Sequence, residues 1–428
     1  MIFTRLANTK RTSSALAMAL SLAVGGALAA TAVEAPAFAQ KNKEKQQKRD
    51  NSKGFVEAFQ PILKQYSEEG ADPAAIAAQV PTLLAAVETE DDRFIAGNLI
   101  AQIAQRTQDR AMLLQGYELM VESGKAEPEN IAPYTYRAGE LAFDLKQYGK
   151  ARTLIQRAID LGYAEGSPHI YIAEAHFAEG QYKQGFAFLD DMIAKRRAAG
   201  EAIDESWVKR GLAIAYNNKM KDEAHRYAQM YAAEFPSETS WGDAIAILLN
   251  TGTYEYPEIL DILRLARRAE ALRTAQMYLE FIEAADPRKL PGEVQAVINE
   301  GIANGKLDAS DPFVKDSLSQ AATRVSADER DLPSLIRDAR ASGASVRTVV
   351  AAADAVLSYG RGAEAEELYG KALNMPGANT PVILTRMGIA QLDQGKYAEA
   401  QATFQRVEGA RQAIAGLWRT WTDQQAGS

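Results

Sequence analysis

Two histidines, His169 and His176, lie seven residues apart on one face of a predicted helix, and paired imidazoles are a common start of a zinc site. A helix brings two ligands to one ion at i and i+4. The observed spacing misses that geometry, so both are read as packing or rim residues. His225 has no His or Cys at ligand spacing. The run Gly360-Arg361-Gly362-Ala363-Glu364-Ala365 has the spacing of a dinucleotide-binding loop. Such a loop follows a strand and opens a helix, whereas this one joins two helical patterns and is set aside. The chain has no P-loop, no H-E-x-x-H, no G-x-S-x-G and no cysteine, so the common phosphate, zinc-protease and nucleophile signatures are missing. Carboxylates are abundant, but no spacing pairs two of them for acid-base work. The expectation is a protein with no catalytic residue, no metal and no cofactor.

The elements that would have to position any site are helical and repeat. Between Ala132 and Ala199 one helix-turn-helix pattern is written twice at a constant offset of 34 residues: Gly139 falls on Ala173, Ala142 on His176, Tyr148 on Tyr182, Ala151 on Gly185, Ile155 on Leu189 and Ala158 on Met192. Small residues where two helices cross let their axes approach closely, and larger ones fill the gap to the next hairpin. The second copy adds the turn Gly180-Gln181-Tyr182, and a later copy carries Gly388 and Gly395-Lys396-Tyr397 followed by Ala400 and Phe404. This period and these turns resemble the tetratricopeptide repeat. The resemblance is specific over 132–200 and 346–408 and architectural elsewhere. It implies an all-α fold, a right-handed superhelical α-solenoid of helix-turn-helix repeats. It also implies a groove lined by particular first-helix positions. In the two clear repeats these are Tyr136, Glu140, Phe143 and Asp144, then Ile170, Glu174 and Phe177. Asp354 holds the place of Glu140 and Glu174 in a later repeat, and carboxylates flanked by aromatics there would suit a partner with spaced Lys or Arg side chains.

Taken in order, residues 1–39 read as a secretory signal. Arg5, Lys10 and Arg11 precede the Ala-rich run Ala15 to Ala30, and Ala37-Phe38-Ala39 is a cleavage triplet. Retention of that segment as an anchor is the competing reading. Residues 40–54 form a basic flexible linker. Residues 55–131 hold degenerate hairpins, with one helix from Phe55, a second opened by Asp72-Pro73 that carries Ile76 to Val87, and a pair over Arg93–Gln105 and Asp109–Ser123. Repeats fill 132–263, with Pro257 where the family places a small residue. Residues 264–345 are off-period, with helices over Leu272–Ala285, Gly292–Asn304 and Pro312–Val325, and a break between two sub-arrays is expected there. Repeats return over 346–423 and end in a capping helix, Ala410–Asp423, because a solenoid's last hairpin leaves an apolar face unpaired. Trp418 and Trp421 are assigned to that packing.

Without residues 1–39 the chain carries 45 basic and 55 acidic residues. A distributed acidic surface excludes a contiguous basic face, and nucleic acid with it. No segment after the signal is apolar long enough to span a bilayer. The implied protein is a non-catalytic scaffold, periplasmic or secreted, that binds a protein or peptide partner, with an envelope protein as the candidate. The alternative is a helical enzyme or accessory subunit acting on cell-wall glycans.

Overall fold

The computed structural model describes residues 50–427. The expected export signal and residues 40–49 of the expected linker lie outside the described residues, whereas Asn51 to Gly54 belong to the capped start of the first helix instead of a linker. Every regular element among the described residues is helical, and none is long and apolar enough to cross a membrane.

Helix α1 (Lys53–Ser67) is capped by Ser52, whose hydroxyl accepts the Phe55 amide, and it buries Phe55, Phe59 and Ile62. The predicted single helix after Asp72 is two short ones, α2 (Pro73–Ala77) and α3 (Val80–Ala85). Pro81 is the reason: it has no N–H and its ring clashes with the preceding turn, so the helix must restart with proline in its first turn. A hairpin follows, α4 (Glu90–Thr107) and α5 (Arg110–Glu122). Its helices cross at two glycines, since a Cβ on Gly97 would stand 2.7 Å from the Gly116 carbonyl oxygen. Asp92, fully buried at the start of α4, closes a capping box with Thr89 and accepts from Asn51 and the Ser52 amide, tying α1 to this hairpin.

The two clear repeats are α6 (Pro128–Asp144) with α7 (Tyr148–Asp160), and α8 (Pro168–Ala178) with α9 (Tyr182–Ala198). Ala138, Ala142, Ala151, Ile155 and Ala158 are buried as the pattern requires. Ala151 is fully buried, so Ala151→Trp is expected to overpack the α6–α7 crossing and cost about 1–3 kcal/mol, measured as a lowered denaturation midpoint. An unchanged midpoint would remove Ala151 from the crossing. Helices α10 (Glu205–Asn217) and α11 (Lys221–Glu234) continue the series, followed by α12 (Glu238–Thr251) and α13 (Tyr256–Arg268). Pro257 sits in the first turn of α13, where its missing N–H would have no helical partner anyway.

The off-period segment is α14 (Ala275–Ala285), α15 (Pro291–Ala303) and α16 (Pro312–Arg340). The last runs past the predicted end at Val325, because Leu332, Ile336 and Ala339 prolong the buried stripe begun by Val314, Ser317 and Ala321. Hairpins α17 (Val346–Ser358) with α18 (Gly362–Leu373) and α19 (Thr380–Leu392) with α20 (Tyr397–Gln405) restore the repeat. A short 3-10 turn, Gly409–Arg411, leads into α21 (Gln412–Ala426). This helix covers α20 as a cap should, but it also returns to α11, α12 and α13. The second half of the array is therefore closed on itself.

Candidate functional site

Each repeat is built around one crossing. A Cβ placed on Gly139 would fall 2.5 Å from Ile155, on Gly211 2.3 Å from Tyr227, and on Gly388 2.5 Å from Phe404. In all three the partner is sixteen residues on, so these glycines mark equivalent positions. Glu140 stands one residue past Gly139, as Glu174 does past Ala173 and Asp354 past Ala353, and Asp144 and Asp393 stand five past Gly139 and Gly388.

In the two clear repeats the positions expected to line the groove divide between buried rings and more exposed carboxylates. Tyr136 is buried, its ring stacked on Tyr163 with centroids 4.2 Å apart and edge-on to Tyr171 at 6.1 Å. Burial, then the charge of Glu140, holds its phenol far above the ordinary value. Phe143 is half-buried between Tyr148 and Tyr171. Ile170 is half-buried against the core. Phe177 packs inside its hairpin against Phe186 at 5.1 Å, and its ring fills the room left by Gly185, where a Cβ would come within 2.3 Å. The carboxylates meet arginines. Glu140 accepts from Arg137 at 2.8 Å, Asp144 from Arg110 at 3.1 Å, and Glu174 from both Nε and Nη2 of Arg210, the latter at 2.6 Å. The Glu140 and Glu174 side chains remain about one-fifth exposed, so a partner's cation could reach both.

The histidines are packing residues. His169 lies against Trp207 at 5.6 Å, and burial, with Arg196 and Lys195 nearby, holds its pKa below the ordinary value. His176 Nδ1 is 2.8 Å from the Gln181 side-chain oxygen. No group of three or more metal-binding side chains occurs among the described residues.

At the equivalent positions of the C-terminal repeats the inward face is occupied, and by the chain itself. Helix α13 lies against α19 and α21, and Leu260 through Ala266 are buried without interruption. Fully buried Asp261 accepts from Arg386 at 3.2 Å, from Arg411 at 2.7 Å and from Arg264 at 3.1 Å. Arg264 also reaches both oxygens of Glu293, at 2.7 and 2.6 Å. Asp354, expected in an open groove, instead accepts from Arg386 at 2.7 Å and from the buried Tyr369 hydroxyl at 2.5 Å. Asp393 holds Arg268 of α13 through both oxygens at 2.6 and 2.9 Å. Beside α13 a cavity of 810 Å³ remains, lined among others by Arg267, Arg268, Leu357, Ser358, Ile389 and Asp393. The one sequence signal of this closure was two opposite charges, Asp261 and Arg264, set inside an apolar run.

No family model matches the chain, and no curated protein does. Among solved structures it is similar to the complex of the TPR2AB domain of yeast Sti1 with pHSP90, at 16% identity, with 70% of this chain and 96% of that one covered and a TM-score of 0.22. It is similar to Naa15/Naa10 bound to HypK-THB at 12% identity, 84% and 58% coverage and a TM-score of 0.38. The pentatricopeptide repeat protein PPR10 from maize matches at 15% identity, 86% and 58% coverage and a TM-score of 0.28. The aligned part thus spans little more than half of the last two chains. Scores this low carry over neither a superhelical path nor a partner. The assignment rests on the hairpins themselves, with their offset of 34 residues and their recurrent small-residue crossings, and these make the chain an all-α solenoid of tetratricopeptide-like repeats.

Proposed function

We propose that the chain is a non-catalytic scaffold that binds a protein or peptide partner along the inward face of α6 and α8, with its place in the cell envelope following from the export signal read in residues 1–39. One observation carries the reading: at the position equivalent to Asp144, five residues past the crossing, Asp393 of the C-terminal repeats binds an arginine of another helix of the same chain. Asp393 grips Arg268 there, an internal instance of an inward carboxylate reading an arginine. Glu140, Asp144 and Glu174 carry the same type of side chain beside the rings of Tyr136, Phe143 and Tyr171, and among the described residues no helix outside α5 to α9 packs extensively on α6 or α8.

The test begins with affinity capture from envelope extract to identify a ligand, followed by titration of the chain and its Glu140→Gln/Glu174→Gln variant. Each partly exposed pair contributes under about 1 kcal/mol. The double change is therefore expected to weaken binding by about tenfold at low salt and by less at high salt. Unchanged affinity at low salt, with the helical spectrum intact, would remove this face from consideration. Glycan turnover by the purified chain would overturn the non-catalytic reading.

A further inference from the structure

We propose that the cavity beside α13 binds a short zwitterionic peptide, its terminal carboxylate held by Lys306 and Arg267 and its terminal ammonium by Glu238 and Glu270. The site lies away from α6 and α8 and does not depend on the partner-binding reading above.

The cavity measures 810 Å³, within the range of pockets that enclose small organic ligands. Three segments wall it: α12 to α14 with Glu238 and Glu270, α15 and its exit turn with Glu300 and Lys306, and α17 with α19 through Ser358 and Asp393. Part of the wall is fixed before any ligand arrives. Arg264 and Glu293 both line it, are more than nine-tenths buried, and hold each other by two hydrogen bonds at 2.7 and 2.6 Å.

Charge selects the ligand. Five cationic and five carboxylate side chains line the cavity, so the balance favours neither a plain anion nor a plain cation. Many of them answer one another, as Arg267 does Glu300 and Arg268 does Asp393. What is left over is of both signs. Lys306, Glu238 and Glu270 are exposed and have no ion pair among the described residues. Arg267 spends only its Nε on Glu300, at 2.7 Å, which leaves two terminal nitrogens as donors. These spare donors stand at the last turn of α15, where Glu300 precedes Lys306. The spare acceptors belong to the turn after α13 and the start of α12. Arg273 ties those two segments together by donating Nη2 to the Glu238 carbonyl at 2.9 Å. Four helix ends reinforce the preference for an ammonium, because α13, α15, α17 and α19 reach the cavity at Arg268, Asn304, Ser358 and Asp393. The carbonyl end of a helix carries partial negative charge.

Other ligand classes fit the wall less well. Among the described residues its one aromatic side chain, Tyr278, is 1% exposed, so no ring is presented to stack on a sugar or a nucleobase. Leu272, Leu357 and Ile389 are buried too, which leaves recognition to polar groups. The exposed amide of Asn304 supplies both a donor and an acceptor for a peptide group.

The experiment titrates the full chain with free-ended alanine peptides of two to five residues. The length that binds best is then compared with its N-acetylated, C-amidated and doubly blocked forms. Each blocked end is expected to weaken binding about tenfold, since it removes one charge-assisted contact. In Lys306→Gln the loss on amidation is expected to shrink, and in Glu238→Gln/Glu270→Gln the loss on acetylation. Both variants change exposed side chains without ion pairs, so their denaturation midpoints should match that of the chain. Dependence on one terminal charge alone would make the cavity a plain anion or cation site and overturn the zwitterion inference. Equal binding of all four forms, or of the free peptide by the chain and both variants, would overturn the assignment to this cavity. Failure of the whole series to bind at millimolar concentration would overturn it as well. None of these outcomes bears on α6 and α8, where the captured ligand decides.

Discussion

Asp261→Ala is expected to cost about 3 kcal/mol of folding stability, the low end for breaking a buried ion pair, because three buried arginines lose the carboxylate they share while each keeps one other, Asp354 for Arg386, Glu258 for Arg411 and Glu293 for Arg264. All three guanidinium groups are under one-tenth exposed, and Arg411 donates to Asp261 at 2.7 Å. The cost is larger than the net contribution of the ion pairs. It arises because one partner is removed while the others stay desolvated, whereas an apolar replacement of the whole set can be close to neutral. Denaturant unfolding of the chain and the variant measures the difference, and Asp261→Asn, which keeps the shape and removes the charge, separates electrostatics from packing. The pH dependence supplies a further check. Burial pushes the Asp261 carboxyl upward, but Arg386, Arg411 and Arg264 outweigh it and hold the folded pKa below the ordinary value. A depressed carboxyl stabilises the fold fully above the unfolded pKa, about 3.9, and that contribution is lost as pH falls through the folded value. The gap between the chain and Asp261→Ala is therefore expected to be widest near neutral pH and to narrow in acid. A gap independent of pH would place the cost in packing alone.

The repeat was legible because its cause is local. Glycine or alanine at a crossing, an aromatic at the start of the second helix and a bulky residue sixteen positions on are each required by the contact between two neighbouring helices. The closure was not legible, because Arg386 meets Asp261 across 125 positions and Gln424 meets the Ala232 carbonyl across 192. No period records such contacts. Other departures had signals that were present but outweighed. Pro81 marked the break between α2 and α3, yet the apolar spacing continues through it. The buried stripe of α16 runs on past the predicted end at Val325, with Pro333 inside the helix. Of the candidate face only the repeat positions were legible, not the contacts. Glu140, Asp144 and Glu174 pair with Arg137, Arg110 and Arg210, and Phe143 packs between Tyr148 and Tyr171. Phe177 turns into its own hairpin because Gly185 stands where the first clear repeat has Ala151, leaving space for a ring. Asp354 is drawn into the closure by Arg386, which no nearest-neighbour rule could assign.

The closure also has an apolar centre, and its removal should at least match the loss of Asp261. Trp418 is fully buried, stacks on Phe404 with the rings 16° from parallel, and donates its indole N–H to the Asp261 backbone carbonyl at 3.1 Å. The Arg268 guanidinium lies over the Trp418 ring, 5.0 Å from its centroid. Trp418→Ala is expected to cost about 3–5 kcal/mol, from lost transfer energy and the cavity left behind. Trp421 is half-buried and meets Trp241 edge-on at 5.5 Å, so Trp421→Ala should cost less. If α21 only capped α20, loss of Trp418 would loosen the last hairpin and leave α11 to α13 alone. Because Gln229 donates to Gly416 and Gln424 to Ala232, release of α21 should also raise amide exchange in α11 and α13. Protection unchanged in those helices would reduce α21 to a simple cap. Residues joined in one network do not add independently, so Asp261→Ala/Trp418→Ala should destabilise by less than the two single changes together. Once either change has opened the closure, the second has fewer native contacts left to remove.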